Sequence, residues 1–159
     1  MKNTVIIIPT RLEAKRFPNK PLAKINGLPM IIHVLNRAKE SQVGEVFVAT
    51  PDKEIFNVVK ENGDQAVLTK YDHFSGSDRI FEAYSKQLKD KDNVDLIINL
   101  QGDMPNIKPN SIAKLEKLMR DNDCDIGTLA ASIKNKEEIM DSNIVKVHVD
   151  KILTSDSFL

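Results

Sequence analysis

Three short stretches concentrate the residues able to do chemistry. The first, Thr10-Arg11-Leu12-Glu13-Ala14-Lys15-Arg16-Phe17-Pro18-Asn19-Lys20-Pro21-Leu22, sets the cations Arg11, Lys15, Arg16 and Lys20 close together. A triphosphate carries roughly four negative charges near neutral pH, and guanidinium forks with a lysine ammonium meet such oxygens through charge-assisted hydrogen bonds. Pro18 and Pro21 stiffen the segment and so lower the ordering entropy lost on binding. Glycine-built phosphate loops are excluded, because neither G-x-G-x-x-G nor G-x-x-x-x-G-K-[ST] follows the first apolar run. A charge run alone reads more often as a solvated basic loop. Its place directly after that apolar run favours phosphate binding.

The second stretch is Gln101-Gly102-Asp103, at the end of another apolar run. The hard oxygen of Asp103 suits Mg2+, which takes one or two carboxylates together with phosphate oxygens and water. An ion there would polarise an α-phosphate and offset charge on a leaving pyrophosphate. Taken alone, an aspartate in this place is more often a turn former. The third stretch, Tyr71-Asp72-His73-Phe74-Ser75-Gly76-Ser77-Asp78-Arg79, offers donors, acceptors and a glycine that permits close backbone approach. A pyrimidine edge needs short polar contacts of this kind, which also reject the larger purines. Asp72 and His73 read as loop-shaping, Ser77 as a candidate helix cap, and Arg79 as a contact to base or phosphate. No neighbour of His73 completes a nucleophile–base pair.

Apolar runs alternating with helical patterns must position these stretches, the signature of a parallel sheet with crossover helices. Val5-Ile6-Ile7-Ile8 reads as a strand covered on both faces. Met30, Ile31, Val34, Leu35 and Ala38 recur at helical spacing as far as Ser41. Val46 to Ala49 is a second strand, and Pro51-Asp52 opens a helix with the stripe Ile55, Val58 and Val59, stopped by Asn62-Gly63. Ala66 to Leu68 is a third strand. The helix that begins at Gly76 or Ser77 carries Ile80, Ala83, Tyr84 and Leu88. Val94 to Leu100 is a fourth strand, Pro109 to Arg120 a helix, and Ile126 to Ile133 and Ile144 to Val149 a fifth and a sixth strand. No repeat, low-complexity tract or linker interrupts them, so one α/β unit is expected, with ligands beyond the carboxyl ends of the strands.

Composition narrows the partners. The 159 residues are 41% apolar and 29% charged, with 23 basic side chains against 23 acidic ones. That balance argues against broad electrostatic binding to nucleic acid or to a membrane surface. The single cysteine, Cys124, permits no intrachain disulfide and reads as a buried structural thiol. The N-terminal apolar stretch is far shorter than a signal-peptide core, and no window has the length of a membrane span. The reading is a cytoplasmic protein.

Four motifs, in order, carry a resemblance. Ile8-Pro9-Thr10-Arg11, Arg16-Phe17-Pro18-Asn19-Lys20-Pro21-Leu22, Asp72-His73-Phe74-Ser75-Gly76-Ser77-Asp78-Arg79 and Gln101-Gly102-Asp103-Met104-Pro105 closely resemble the 3-deoxy-manno-octulosonate cytidylyltransferases. Ile25-Asn26-Gly27-Leu28-Pro29-Met30-Ile31 and Asn143-Ile144-Val145-Lys146-Val147 add to it, so the resemblance reaches about Asp150. It implies a three-layer α/β/α fold around a mostly parallel nucleotide-binding sheet, of the nucleotide-diphospho-sugar transferase (glycosyltransferase-A-like) type. It also implies transfer of CMP from CTP to 3-deoxy-D-manno-octulosonate (KDO) for lipopolysaccharide synthesis, with Mg2+ as cofactor.

By the same resemblance Arg11, Arg16 and Lys20 hold the triphosphate, and Ser75, Gly76 and Arg79 contact the cytidine. Gln101 approaches the sugar acid and Asp103 binds the metal, so that Arg11, Lys20 and Asp103 carry catalysis. Three positions depart from the family pattern: Ala14 stands for a small hydroxyl residue, Asn19 for glycine and Met104 for glutamate. Asparagine is among the residues best able to replace glycine at positive φ.

The resemblance further implies a longer chain. The expected C-terminal part would carry a second metal-binding aspartate, further KDO contacts and most of a homodimer interface. Residues 1–159 are thus expected to form a single cytidylyltransferase domain lacking that part, with CTP binding and little turnover. The alternatives are an inactive nucleotide-binding fragment and a transferase for another sugar acid such as sialate.

Overall fold

Four consecutive apolar residues, Val5 to Ile8, cannot satisfy a sheet with one wet face, because a strand turns alternate side chains to opposite sides. In the computed structural model, which describes residues 3–13, 17–87, 94–154 and 157–158, all four are buried at 3% exposure or less. The chain divides into two compact units, Met1–Glu116 and Lys117–Leu159.

The elements follow in order: β1 (Asn3–Pro9), a 3-10 turn (Lys20–Leu22), β2 (Lys24–Ile25), β3 (Leu28–Pro29), α1 (Met30–Glu40), β4 (Glu45–Thr50), α2 (Lys53–Glu61), β5 (Gln65–Leu68), α3 (Gly76–Gln87), β6 (Val94–Asn99) and α4 (Pro109–Asp121). Strands β5, β4, β1 and β6 lie side by side in that order, and all three pairings are parallel. The helix stripe expected to include Leu88 is described only to Gln87, and Leu88 lies outside the described residues.

Strand alternation sorts the core into two layers. Ile6, Ile8, Val46, Val48, Ala66 and Ile98 pack with Ile31, Val34, Leu35 and Ala38 of α1, Ile55 and Val59 of α2, and Ile112 of α4. Val5, Ile7, Phe47, Ala49 and Val67 pack instead with Ile80 and Ala83 of α3. Helices therefore cover both faces, giving the expected α/β/α sandwich. Burial contributes about 2 kcal/mol for each side chain such as Ile6, Ile7 and Ile8, so the carboxyl end of β1 is a rigid platform.

The strand order creates a switch point. From β1 the chain builds outward through β4 and β5, and the α3 crossover then returns it to the opposite side of β1. Ile7 registers with Asn99, so the loop after β1 and the loop after β6 leave the sheet side by side. In open α/β sheets this crevice is where ligands bind.

Two local features were not read from the sequence as elements. Strands β2 and β3 form a small antiparallel hairpin whose turn places Asn26 at φ 49° and Gly27 at φ 83°, the positive-φ pair that Asn-Gly favours. His33 Nε2 donates to Ile25 O at 2.8 Å, tying α1 to that hairpin.

The second unit differs from expectation. It holds a short helix, α5 (Lys136–Met140), and an antiparallel pair, β7 (Ile152–Thr154) and β8 (Ser157–Phe158). The strands expected at 126–133 and 144–149 do not form; Ile126 and Val145 are 89% and 94% exposed. Alternating apolar residues become a strand only where an edge offers hydrogen-bond partners and a layer covers one face, and neither segment pairs with a strand. Cys124 is half-buried, not the enclosed core thiol expected. Among the described residues no helix is long and apolar enough to cross a membrane.

Candidate functional site

Beyond the carboxyl ends of β1, β5 and β6 lies a cleft of about 890 Å³. Arg11, Lys20, Ser75, Gly76, Arg79, Gln101 and Asp103 all line it, beside Thr10, Glu13, Phe17, His73 and Phe74. The fold thus gathers every sequence-predicted site residue except Arg16, which with Ala14 and Lys15 lies outside the described residues.

Local backbone chemistry shapes the loop after β1. Asn19 takes the left-handed conformation, φ 57° and ψ 18°, as expected for an asparagine in a glycine's place. Its N–H donates to Leu12 O at 3.2 Å, and the N–H of Leu22 donates to Asn19 O at 2.9 Å, starting the 3-10 turn that carries Lys20. Across the crevice Lys20 Nζ donates to Asp103 Oδ2 at 2.8 Å. This contact joins residues 83 apart in sequence and brings the cationic loop against the acidic strand end.

Gly102 allows the two loops to touch. A Cβ there would lie 3.0 Å from Thr10 Cβ and 3.2 Å from Pro9 O, tighter than nearly all real Cβ contacts, so a side chain at 102 would force the contact to give by a few tenths of an ångström. Gln101 reaches the cleft while its Nε2 donates to Asn99 Oδ1 at 2.9 Å.

The third loop is held by α3. Ser75 Oγ accepts the Asp78 N–H at 3.1 Å, and Asp78 Oδ2 accepts the Ser75 N–H at 3.0 Å. This is a capping box, so Ser75 caps the helix in place of the expected Ser77. Its hydroxyl also donates to Asp78 Oδ2 at 2.8 Å, leaving it less free for a ligand than the sequence suggested. Arg79 is 3% exposed, and its Nη1 donates to Thr69 Oγ1 at 2.5 Å and Lys70 O at 2.9 Å. Burial, followed by the nearby Arg11 charge, pushes the Arg79 guanidinium below its ordinary range.

His73 is loop-shaping, as expected, through a partner the sequence did not reveal. Its Nε2 hydrogen-bonds to Glu82 Oε2. The N–H of Lys70 donates to the same oxygen at 2.8 Å, and Lys86 pairs with Glu82 Oε1 at 2.5 Å. Burial works against the Glu82 charge, but the hydrogen bonds from Lys86, His73 and Lys70 outweigh it and lower the carboxyl from 4.5 to about 2.

Residues 5–156 match the cytidylyltransferase family. The chain belongs to that family. The chain is 47% identical over 143 residues to the 3-deoxy-manno-octulosonate cytidylyltransferase of Nitrobacter winogradskyi, covering 90% of this chain and 56% of the relative. It is 49% identical over 144 residues to the enzyme of the same name from Rhodopseudomonas palustris, covering 91% and 58%. The chain therefore spans somewhat over half the length of these curated relatives.

A solved CMP:2-keto-3-deoxy-manno-octonic acid synthetase complexed with CTP matches this chain with a TM-score of 0.71 at 42% identity, over 76% of this chain and 48% of that one. A cytidylyltransferase from Leptospira borgpetersenii shares the fold, with a TM-score of 0.66 at 23% identity over 77% and 51%.

Sequence reasoning missed Glu82 and Asp52. Glu82 and Lys86 have the i, i+4 spacing of a helix ion pair, and Ser75-Gly76-Ser77-Asp78 has the spacing of a capping box; both signals were present. Asp52, which accepts the Leu12 N–H at 2.7 Å from 40 residues away, left no local signal.

Proposed function

We propose that this chain binds CTP in the switch-point cleft for transfer of CMP to KDO with release of pyrophosphate, residues 1–159 by themselves turning over little. The observation that carries the reading is the convergence of Lys20 with Asp103 beside Arg11, opposite a loop whose Gly76 and Arg79 face the same cleft. The names of the two curated relatives and of the CTP-bound synthetase support the choice of nucleotide and sugar acid.

In the proposed reaction the anomeric hydroxyl of KDO attacks the α-phosphorus of CTP. The bond from that phosphorus to the β-phosphate oxygen breaks with its electron pair leaving on pyrophosphate, and the hydroxyl proton passes to solvent. Arg11, Arg16 and Lys20 hold the phosphates, and Gly76 and Arg79 face the cytidine. Ser75 orders the recognition loop through its cap, and Gln101 faces the sugar acid. The work is positioning and charge stabilisation, with no covalent intermediate on the protein.

Mg2+ fits this donor set on one condition. Among the described residues no group of three or more His, Cys, Asp or Glu side chains forms a metal cage. Asp103 offers a single hard carboxylate at the cleft, which suits an ion that shares its coordination with substrate phosphates and water. Such an ion supplies charge stabilisation at the phosphates.

Calorimetric titration with CTP and ATP in Mg2+, followed by pyrophosphate release with KDO or neuraminate, tests the reading. CTP is expected to bind in the range of about 1 μM to 1 mM usual for enzyme substrates, with ATP weaker and KDO preferred to neuraminate. A chain that shows no heat with CTP overturns the proposal.

A further inference from the structure

We propose that Asp52 is a positioning residue for the cationic loop: its carboxylate clamps the backbone at Leu12, one residue beyond Arg11, and so fixes the base from which Arg11 and Lys20 reach the cleft. The inference rests on the nucleotide reading above and assigns a part to a residue outside the cleft's lining.

Asp52 stands at the N-terminal boundary of α2 with extended backbone, φ −93° and ψ 121°. An aspartate in that place ordinarily accepts an N–H from the first turn of its own helix. This one makes no such bond. Its Oδ2 instead accepts the Leu12 N–H at 2.7 Å. Asp52 is itself fixed, since its N–H donates at 3.2 Å to Oγ1 of the fully buried Thr50.

Leu12 is held on three sides. Asp52 takes its N–H, the Asn19 N–H donates to its carbonyl at 3.2 Å, and its side chain packs against the core that contains Ile6 and Ile8. The loop from Leu12 to Asn19 is thereby closed at its base, and Arg11 and Lys20 flank the two closing residues. A loop already tied at both ends loses less conformational entropy when it meets a ligand.

Charge makes the clamp testable by sign. A carboxylate close to a triphosphate site repels the ligand, so a purely electrostatic role for Asp52 predicts tighter nucleotide binding whenever the charge is removed. A clamp predicts the reverse for a variant that cannot accept the Leu12 N–H, and recovery for one that can. Asp52→Ala removes both charge and acceptor, whereas Asp52→Asn removes the charge and keeps an acceptor oxygen. Because the carboxylate does not cap α2, both variants are expected to fold, which thermal melting checks.

Calorimetry with CTP and Mg2+ is expected to show Asp52→Ala binding about five- to twentyfold more weakly than wild type, at or below the loss of a whole charge-assisted hydrogen bond because the bond removed orders the loop and does not touch the nucleotide. Asp52→Asn should return to within about threefold of wild type. Asp52→Ala binding as tightly as wild type, or more tightly, overturns the proposal, as does Asp52→Asn losing as much affinity as Asp52→Ala. Amide hydrogen exchange at Leu12 separates this inference from the nucleotide reading. Without any ligand the Leu12 amide should exchange at least about tenfold faster in Asp52→Ala than in wild type and remain protected in Asp52→Asn. If wild type binds no CTP, the functional reading fails and the exchange rates alone judge the clamp; equal rates at Leu12 in wild type and Asp52→Ala overturn it.

Discussion

At Lys20 the ammonium that would meet a phosphate lies 2.8 Å from Asp103, the carboxylate that would meet a metal ion. Their side chains are 36% and 53% exposed, and ion pairs so open to water are worth at most about 1 kcal/mol. A triphosphate offers Lys20 more negative charge than a single carboxylate does, so the proposed nucleotide would draw Lys20 to its phosphates and leave Asp103 able to hold the accompanying metal ion. Lys20→Met separates these two parts of the exchange. Its affinity for CTP is expected to fall about tenfold, the cost of losing one charge-assisted contact. The affinity of the nucleotide-free protein for Mn2+ should rise about two- to fivefold, because a competing cation has left Asp103. Electron paramagnetic resonance of Mn2+ and calorimetry of CTP measure the two separately. A fall in both would mean that Lys20 supports Asp103 as a ligand instead of competing for it.

Helix α3 shows how an element holds the loop that precedes it. Its first turn is capped by Ser75, and Glu82, two turns into the helix, gathers His73, Lys70 and Lys86. Because the folded Glu82 carboxyl titrates near 2 against 4.5 for the free group, the native state holds the proton less tightly than the unfolded chain. The stabilisation is fully present above about pH 4.5 and is lost as pH falls toward 2, at roughly 1.4 kcal/mol for each pH unit that separates the folded and free values. The stability gap between wild type and Glu82→Gln, from urea denaturation, is therefore expected to be about 1–2 kcal/mol at pH 7, the full shift being reduced by solvent screening of the exposed Lys86 partner, and to close between about pH 4.5 and pH 2. A gap that does not change over that window would show that the charge of Glu82 is not what matters. Elements of this kind were legible in the sequence to unequal degrees. The strands and helices of the first unit follow from apolar periodicity because each buries its own face, as α1 does with Met30, Ile31, Val34 and Leu35. Asn26-Gly27 and Ser75-Gly76-Ser77-Asp78 carried turn and cap signals that apolar periodicity does not register. The Asp52–Leu12 clamp depends on two loops meeting after the sheet has formed, which no local pattern encodes. Residues 126–133 and 144–149 show the opposite case, a strand-like pattern without a partner to make it one.

For the molecule as a whole, the order β5-β4-β1-β6 decides where chemistry can occur, and Gly102 is where that order meets a steric limit. Pro9 and Thr10 cannot yield to a side chain at 102: Ile8, just before them, is fully buried, Thr10 is 9% exposed, and the Thr10 N–H is bonded to Ala49 O at 3.0 Å. Gly102→Ala must therefore move the loop after β6, and Asp103 with it, away from Lys20. Overpacking of this kind costs about 1–3 kcal/mol of stability. Gly63 provides the comparison. It ends α2 at φ 83° with nothing within 4 Å of an added Cβ and does not line the cleft, so Gly63→Ala brings only backbone strain, about 1 kcal/mol. Both variants should melt below wild type. Only Gly102→Ala should also bind CTP more weakly, by about tenfold or more, as expected when a positioned contact is displaced by a fraction of an ångström. Equal CTP affinities for the two variants would mean that the nucleotide does not depend on how β1 and β6 abut, and that the contact between Lys20 and Asp103 is incidental to binding.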